Sequence, residues 1–319
     1  AATSSLDIEL GEGAQFELTG LFLGETFCTT NVRQGARSRC RMTTVLLAGA
    51  NVGCTVDLTG ADAENSLGGT FLVGGREHAV VKLRTNHRVA DCRSAGEVES
   101  ALKAGKIAGL LTVEGGSALG GKLERVDTLY QAGVRMMTLT WNGKNELASG
   151  HDTGEGFTAF GREAVAAMEE RGIAVDVSHL NDRGFEELLA VVKKPFVASH
   201  SNARAVCGHR RNLPDAFIRE MVARRCLIGL NYCRYFLADS GEGSREDLWR
   251  HVAHFLELGA ADCLALGSDY DGADIPGDLD SVEKALGLGD FLVSRGLSEE
   301  MAEKILFGNA WRFFQQVLS

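Results

Sequence analysis

From about residue 105 onward the chain alternates short apolar runs with amphipathic stretches, and this alternation most restricts what it can become. The apolar runs are "IAGLLTVEG" (107–115), "RMMTLT" (135–140), "IAVDVSH" (173–179), "PFVASH" (195–200), "CLIGLNY" (226–232) and "CLALGSD" (263–269). They are continuous rather than alternating, the pattern of parallel strands covered on both faces. Between them lie helices with readable ends. "TAFGREAVAAMEERG" opens on Thr158, gathers Phe160, Ala164 and Met168 on one face and stops at Gly172. "NDRGFEELLAVVKK" turns Phe185, Leu188, Leu189 and Val192 inward and sets two lysines at its C-terminus, where they suit the helix dipole. "SREDLWRHVAHFLELG" starts from Ser244 with Asp247 three residues on, aligns Leu248, Val252 and Phe255, and ends at Gly259.

Strand–helix repetition without a linker suits either a doubly wound sheet or a (β/α) barrel. The position of the polar residues separates the two. Glu114, His179, His200 and Asp269 each stand at the C-terminal end of a different strand. A doubly wound sheet gathers its ligand site at one switch point, whereas a barrel collects residues from every strand at one rim. The expectation is therefore a single (β/α) barrel domain over residues 1–319. Its first hundred residues are less regular: "QFELTGLFLG" (15–24) and "AVVKLR" (79–84) read as strands. Residues 28–78, rich in Gly, Thr, Arg and Cys, show no helical period and form an atypical, unassigned segment.

Composition narrows the class further. A net charge of −10 argues against a nucleic-acid partner, which would want a basic face. No apolar run approaches the roughly 18 residues of a membrane span, and no signal-peptide pattern opens the chain, so a soluble protein is expected. The eight cysteines are scattered singly with no C-x-x-C pair, which excludes zinc-ribbon and thioredoxin readings. They point to a reduced, cytoplasmic setting.

His179 and His200 end consecutive strands one β–α–β step apart, so a barrel stands them side by side. Imidazole and carboxylate together suit Zn²⁺, with Glu114 on the same rim as third donor. Glu114, followed by two glycines, equally suits a general base or a turn cap. Asp269 and Asp271 in "LGSDYDG" suit either acid–base catalysis, with Asp269 the nearer to its strand, or turn formation. Arg210 and Arg211 follow the His200 strand, where a guanidinium fork can recognise a carboxylate or simply charge a helix entry. His251 and His254, at i and i+3, read as helix surface or packing, and His78, His87 and His151 carry no usable pattern.

In this order and spacing, "TVEGG", "LTWNGKN", "DVSHL", "ASHSNARAVCGHRRNLPD" and "GSDYDG" resemble the membrane dipeptidase (renal dipeptidase-like) family of the amidohydrolase superfamily, over roughly residues 95–319. "LDIELGEGAQFELTGLFLG" is a weaker match to that family's second barrel strand. The resemblance implies a (β/α)8 barrel holding two zinc ions and hydrolysing dipeptides, with tolerance for a D-residue at the C-terminal position. It implies Glu114 as the carboxylate bridging both metals, His179 and His200 as ligands of the second, and Asp269 as the acid/base. Arg211 would hold the substrate carboxylate, with Trp141 and Asn142 as further substrate contacts and Arg210 and Asp271 in support. A homodimer is common in the family.

Three departures qualify this. The family's first strand carries a His-x-Asp pair for the first metal, and no His-x-Asp occurs in this chain, so the first strand is expected to be absent from it. Trp141 stands where mammalian members carry a substrate-contacting His. Residues 28–78 do not resemble the helix the family places there. Besides a dipeptidase, the same residues admit an amidohydrolase of N-acyl amino acids or a degenerate, non-catalytic barrel.

Overall fold

The computed structural model describes residues 2–23, 26–47, 49–59, 63–71, 79–87 and 90–318. In place of one barrel domain across the chain, it divides into two compact units: residues 1–91 with 105–107, and residues 92–104 with 108–319.

The first unit is built from parallel strands in two sheets. Ala2–Leu10, Thr26–Gln34, Ala50–Leu58 and Ala79–His87 form one sheet, and Gln15–Phe22, Arg39–Leu46 and Glu64–Phe71 the other. Successive strands thus alternate between sheets, and the chain winds as a coil. The first pairings repeat about every two dozen residues, so that Asn31 Nδ2 donates to Asp7 Oδ1 at 2.7 Å from 24 positions on. The described strands between residues 28 and 71 lack a helical period because their period is two. In Ala50–Leu58 every second residue (Ala50, Val52, Cys54, Val56, Leu58) is buried. Each such valine or leucine contributes about 1.5–3 kcal/mol on burial. Both strands read from sequence, at 15–24 and 79–84, are found here. Cys40 and Cys54 pack inside as small hydrophobes, and burial pushes their thiols up. Cys28, Cys40, Cys54, Cys207, Cys226, Cys233 and Cys263 carry free thiols. His78 lies outside the described residues.

The second unit carries a parallel sheet of Leu111–Val113, Val134–Thr138, Ala174–Asp176, Val197–Ala198, Leu227–Leu230 and Leu264–Leu266, in strictly sequential order. All six apolar runs named from the sequence contribute a strand. Their continuity has the expected cause: every residue of Ala174–Asp176 and Leu227–Leu230 is buried. Helices Glu124–Gln131, Ala159–Arg171, Asp182–Leu189, Asp215–Ala223 and Arg245–Glu257 alternate with the strands. This is an α/β fold. Among the described residues the sheet has six strands, so the eight-stranded closure of a complete barrel is not seen in it.

Helix ends follow the sequence closely. Thr158 Oγ1 accepts from Gly161 N at 2.9 Å, and Gly172 closes the helix in the left-handed region. Asn181 and Ser244 cap their helices in the same way. One helix is shorter than expected, since Asp182–Leu189 stops before Val192 and both lysines. The backbone N–H groups of Lys193 and Lys194 are taken by the buried Glu169 carboxylate, at 2.9 and 2.6 Å, instead of extending the helix. His251 is wholly buried: its Nδ1 accepts from Ala203 N at 3.2 Å, its Nε2 donates to Leu237 O at 3.0 Å, and burial pushes it down to about 4. It therefore packs, while His254 pairs with Asp215 at 2.8 Å.

Strand ends in this unit approach one another very closely. A Cβ built on Gly229 or Gly267 would overlap the Ser199 carbonyl oxygen, a backbone atom that cannot rotate away. Gly229→Ala should therefore destabilise the protein by about 3 kcal/mol or block folding. Gly277→Ala, where a Cβ meets open space, should stay within about 0.5 kcal/mol. Equilibrium denaturation of the two variants checks this, and equal stabilities would contradict the packing.

Candidate metal centre

Glu114 follows strand Leu111–Val113 and is held out by the two glycines behind it. Gly115 takes φ +93°, and Gly116 N donates to Leu139 O at 3.2 Å in a space that a Cβ would not fit. His179 lies just beyond strand Ala174–Asp176 with φ +72°, a conformation costing of order 1–3 kcal/mol for a residue with a side chain. The segment before it is clamped: His151 N donates to His179 O at 2.8 Å, and Leu180 N to Val177 O at 3.0 Å. His200 lies just beyond strand Val197–Ala198, its backbone N–H donating to Ser178 Oγ at 3.0 Å.

These three side chains converge. His179 Nε2 and His200 Nε2 are 2.9 Å apart, and Glu114 Oε1 stands 3.0 Å from the first and 3.4 Å from the second. Among the described residues this is the one group of three or more His, Cys, Asp or Glu side chains arranged to hold a metal ion. The far nitrogens are engaged too. His179 Nδ1 faces the Asn142 side-chain oxygen at 2.8 Å, and His200 Nδ1 faces Ser199 Oγ at 2.7 Å. An amide oxygen only accepts, so His179 Nδ1 carries the ring proton and its Nε2 presents a lone pair. The His179 imidazole is pushed down by burial. Deprotonated His and Glu donors, with their other faces tied back, are what a bound divalent cation requires.

Around the centre, Asn231 Nδ2 donates both to His200 O and to Asp269 Oδ2, each at 3.2 Å, and so ties the Asp269 carboxylate to the ligand strand. Asp269 and Asp271 both adopt positive φ, +61° and +64°, and only Asp269 has its carboxylate turned to this network. Arg211 is 5% exposed, yet its Nε and one terminal nitrogen have no hydrogen-bond partner. Burial pulls its guanidinium down to about 10, against the fields of Asp269, Asp176 and Glu114. Arg210 is exposed and faces Asp152 at 3.7 Å and the His151 carbonyl at 3.3 Å. It borders a 250 Å³ cleft lined also by His151, Asn181, Asp182 and Arg204. Trp141 is 60% exposed, its ring 6.3 Å from that of His179.

Several participants are absent from the sequence reading. His151, which shows no pattern, places its ring 5.9 Å from His179 and is pushed down to about 4 by burial and by Arg211. Asp176 and Asn231 are wholly buried and polar. Each interrupts an apolar run, and that interruption was the available signal.

A parallel α/β unit presenting a His, His, Glu cluster at its strand ends matches the fold and donor set of metal-dependent amidohydrolases. The chain belongs to Peptidase family M19, the membrane dipeptidases, whose profile matches residues 76–319. An uncharacterized protein in the pqqA 5' region of Klebsiella pneumoniae is 30% identical over 242 residues, 72% of this chain and 89% of its own. The crystal structure of a metallo peptidase from Rhodobacter sphaeroides, liganded with a phosphinate mimic of the dipeptide L-Ala-D-Ala, is 32% identical. It superposes with a TM-score of 0.68 over 71% of this chain and 68% of that one. A metallo peptidase of family M19 called dipeptidase AC is 31% identical, with a TM-score of 0.69 over 71% of each chain.

Proposed function

We propose that this protein hydrolyses the peptide bond of dipeptides at a zinc centre held by Glu114, His179 and His200. One observation carries the reading: a wholly enclosed guanidinium, Arg211, stands with unpaired donors in the same site as three converging metal donors. A buried cation without a partner is costly, and the natural partner for its planar fork is a carboxylate. A dipeptide offers a free carboxylate one residue away from its scissile bond. The Rhodobacter sphaeroides metallo peptidase, liganded with a mimic of L-Ala-D-Ala, supports this substrate class. Two imidazoles and a carboxylate are a donor set suited to zinc. Because the chain has no His-x-Asp pair, the proposal concerns the single centre that these donors build.

Zinc bound there would polarise the scissile carbonyl and acidify an attacking water. Arg211 binds the substrate carboxylate and fixes the peptide across the centre. Asp269, held by Asn231 beside the His200 strand, accepts the proton of the attacking water and delivers it to the leaving amine. Asn142 orients His179, and Trp141 offers an exposed aromatic face beside it. His151 lines the wall towards Arg210.

Asp269→Asn keeps the size and the neighbours of the side chain but cannot take a proton. It should lower kcat by about a hundredfold or more with metal content unchanged, measured on a panel of L,L and L,D dipeptides. Full activity in this variant would remove Asp269 from the reaction. Wild-type protein that binds metal yet cleaves no dipeptide of the panel, while releasing the acyl group of N-acyl amino acids, would transfer the site to that substrate class.

A further inference from the structure

We propose that Asp176 and Ser199 are positioning residues that hold His200 in the tautomer whose Nε2 carries no proton. The proposal rests on His200 being a metal ligand, as argued above. Asp176 is 1% exposed and fully engaged. Its Oδ1 accepts from the backbone N–H groups of Ser178 and Ser199, both at 3.0 Å, and its Oδ2 from Thr138 Oγ1 at 2.8 Å and Ser199 Oγ at 2.5 Å.

Ser199 has a single hydroxyl proton, and two groups compete to decide its direction. A carboxylate can only accept, so at 2.5 Å the proton points to Asp176. The same oxygen lies 2.7 Å from His200 Nδ1. Having spent its proton on Asp176, it must accept there, so His200 Nδ1 carries the ring hydrogen. The Nε2 lone pair is then left facing Glu114 and His179. The alternative donor or acceptor for Ser199, Ser178 Oγ, is more distant at 3.4 Å. A carboxylate one strand away thus sets the state of a ligand nitrogen through one hydroxyl.

Asp176→Asn preserves the shape and still accepts the two backbone N–H groups. Its amide nitrogen, however, now donates where Oδ2 accepted. Ser199 must turn its proton elsewhere, His200 Nδ1 becomes the nearest acceptor, and the imidazole proton moves to Nε2, into the metal position. Ser199→Ala merely removes the bias. Metal affinity, measured by chelator competition with Zn²⁺ at fixed pH on the full chain, should fall by about ten- to a hundredfold in Asp176→Asn and less in Ser199→Ala. The double variant should resemble Ser199→Ala alone, because without the hydroxyl there is no proton to misdirect.

The ¹⁵N resonances of the His200 ring in metal-free protein read the tautomer directly. They should show Nδ1–H in the wild type, Nε2–H in Asp176→Asn and a mixture in Ser199→Ala, with Ser199→Thr restoring the wild-type signature. An Nε2–H tautomer in the wild type, or strictly additive losses of affinity, would overturn the proposal. So would an Asp176→Asn variant with wild-type affinity. If Asp176→Asn does not fold, the Ser199 pair decides by the same resonances. Wild-type protein without zinc affinity would end the dipeptidase reading while the tautomer still judged the relay.

Discussion

The His200→Ala protein is expected to lose dipeptide hydrolysis by roughly 10⁴-fold or more, and its bound metal with it. The centre has three donors, and removing one leaves His179 and the half-exposed Glu114 to hold a cation alone. Lewis-acid assistance contributes several kcal/mol, and each 1.36 kcal/mol is tenfold in rate. The fold should survive, because His200 sits at a strand end and its backbone N–H bond to Ser178 does not need the ring. Metal per chain after dialysis, together with turnover of a dipeptide, tests this. A variant that keeps stoichiometric metal and more than a tenth of its activity would place the chemistry elsewhere.

Arg211→Met is expected to separate function from stability. The guanidinium is buried with two nitrogens that have no hydrogen-bond partner, so its replacement by an apolar side chain of similar length removes an incompletely satisfied buried charge. Stability should rise by about 1–3 kcal/mol, as when buried ionic groups give way to hydrophobic ones. Activity should move the other way. Losing the partner of an enclosed carboxylate costs about 2–5 kcal/mol, so kcat/KM for dipeptides should fall by roughly 30- to 5,000-fold. Dipeptide amides, which lack the free carboxylate, should be poor substrates of the wild type and nearly indifferent to the substitution. If Arg211→Met lowers stability and affects both substrate types equally, Arg211 is a structural residue and the substrate carboxylate binds elsewhere.

The site was readable where strand geometry alone decides position. His179 and His200 follow consecutive parallel strands, and parallel strands bring their C-terminal ends to one edge, so two motifs 21 residues apart had to meet. Glu114, ending a third run in the same direction, joins them for the same reason. Strand-end position also offered Asp269, and the family motifs singled out Arg211 from the Arg210–Arg211 pair. Their physical distinctness comes from the structure: Arg211 is buried and unpaired while Arg210 is exposed, and Asp269 is tied to Asn231 while Asp271 is not.

The first unit was not readable in this way. A two-residue period in a Gly- and Thr-rich segment signals strands only once partners two dozen residues away are known, and those pairings are tertiary information. His151 is similar, since no local pattern marks a histidine that a loop carries to within 5.9 Å of His179. Sequence by itself therefore determined the parallel α/β character and the capped helices through short-range periodicity and residue type, and pointed to the family and to the three candidate donors through its ordered motifs and strand ends. Tertiary structure alone decided the division into two units, the burial of Arg211, and the path from Asp176 through Ser199 to His200. Distances and desolvation between segments far apart in the chain set those properties, and no local stretch of residues encodes them.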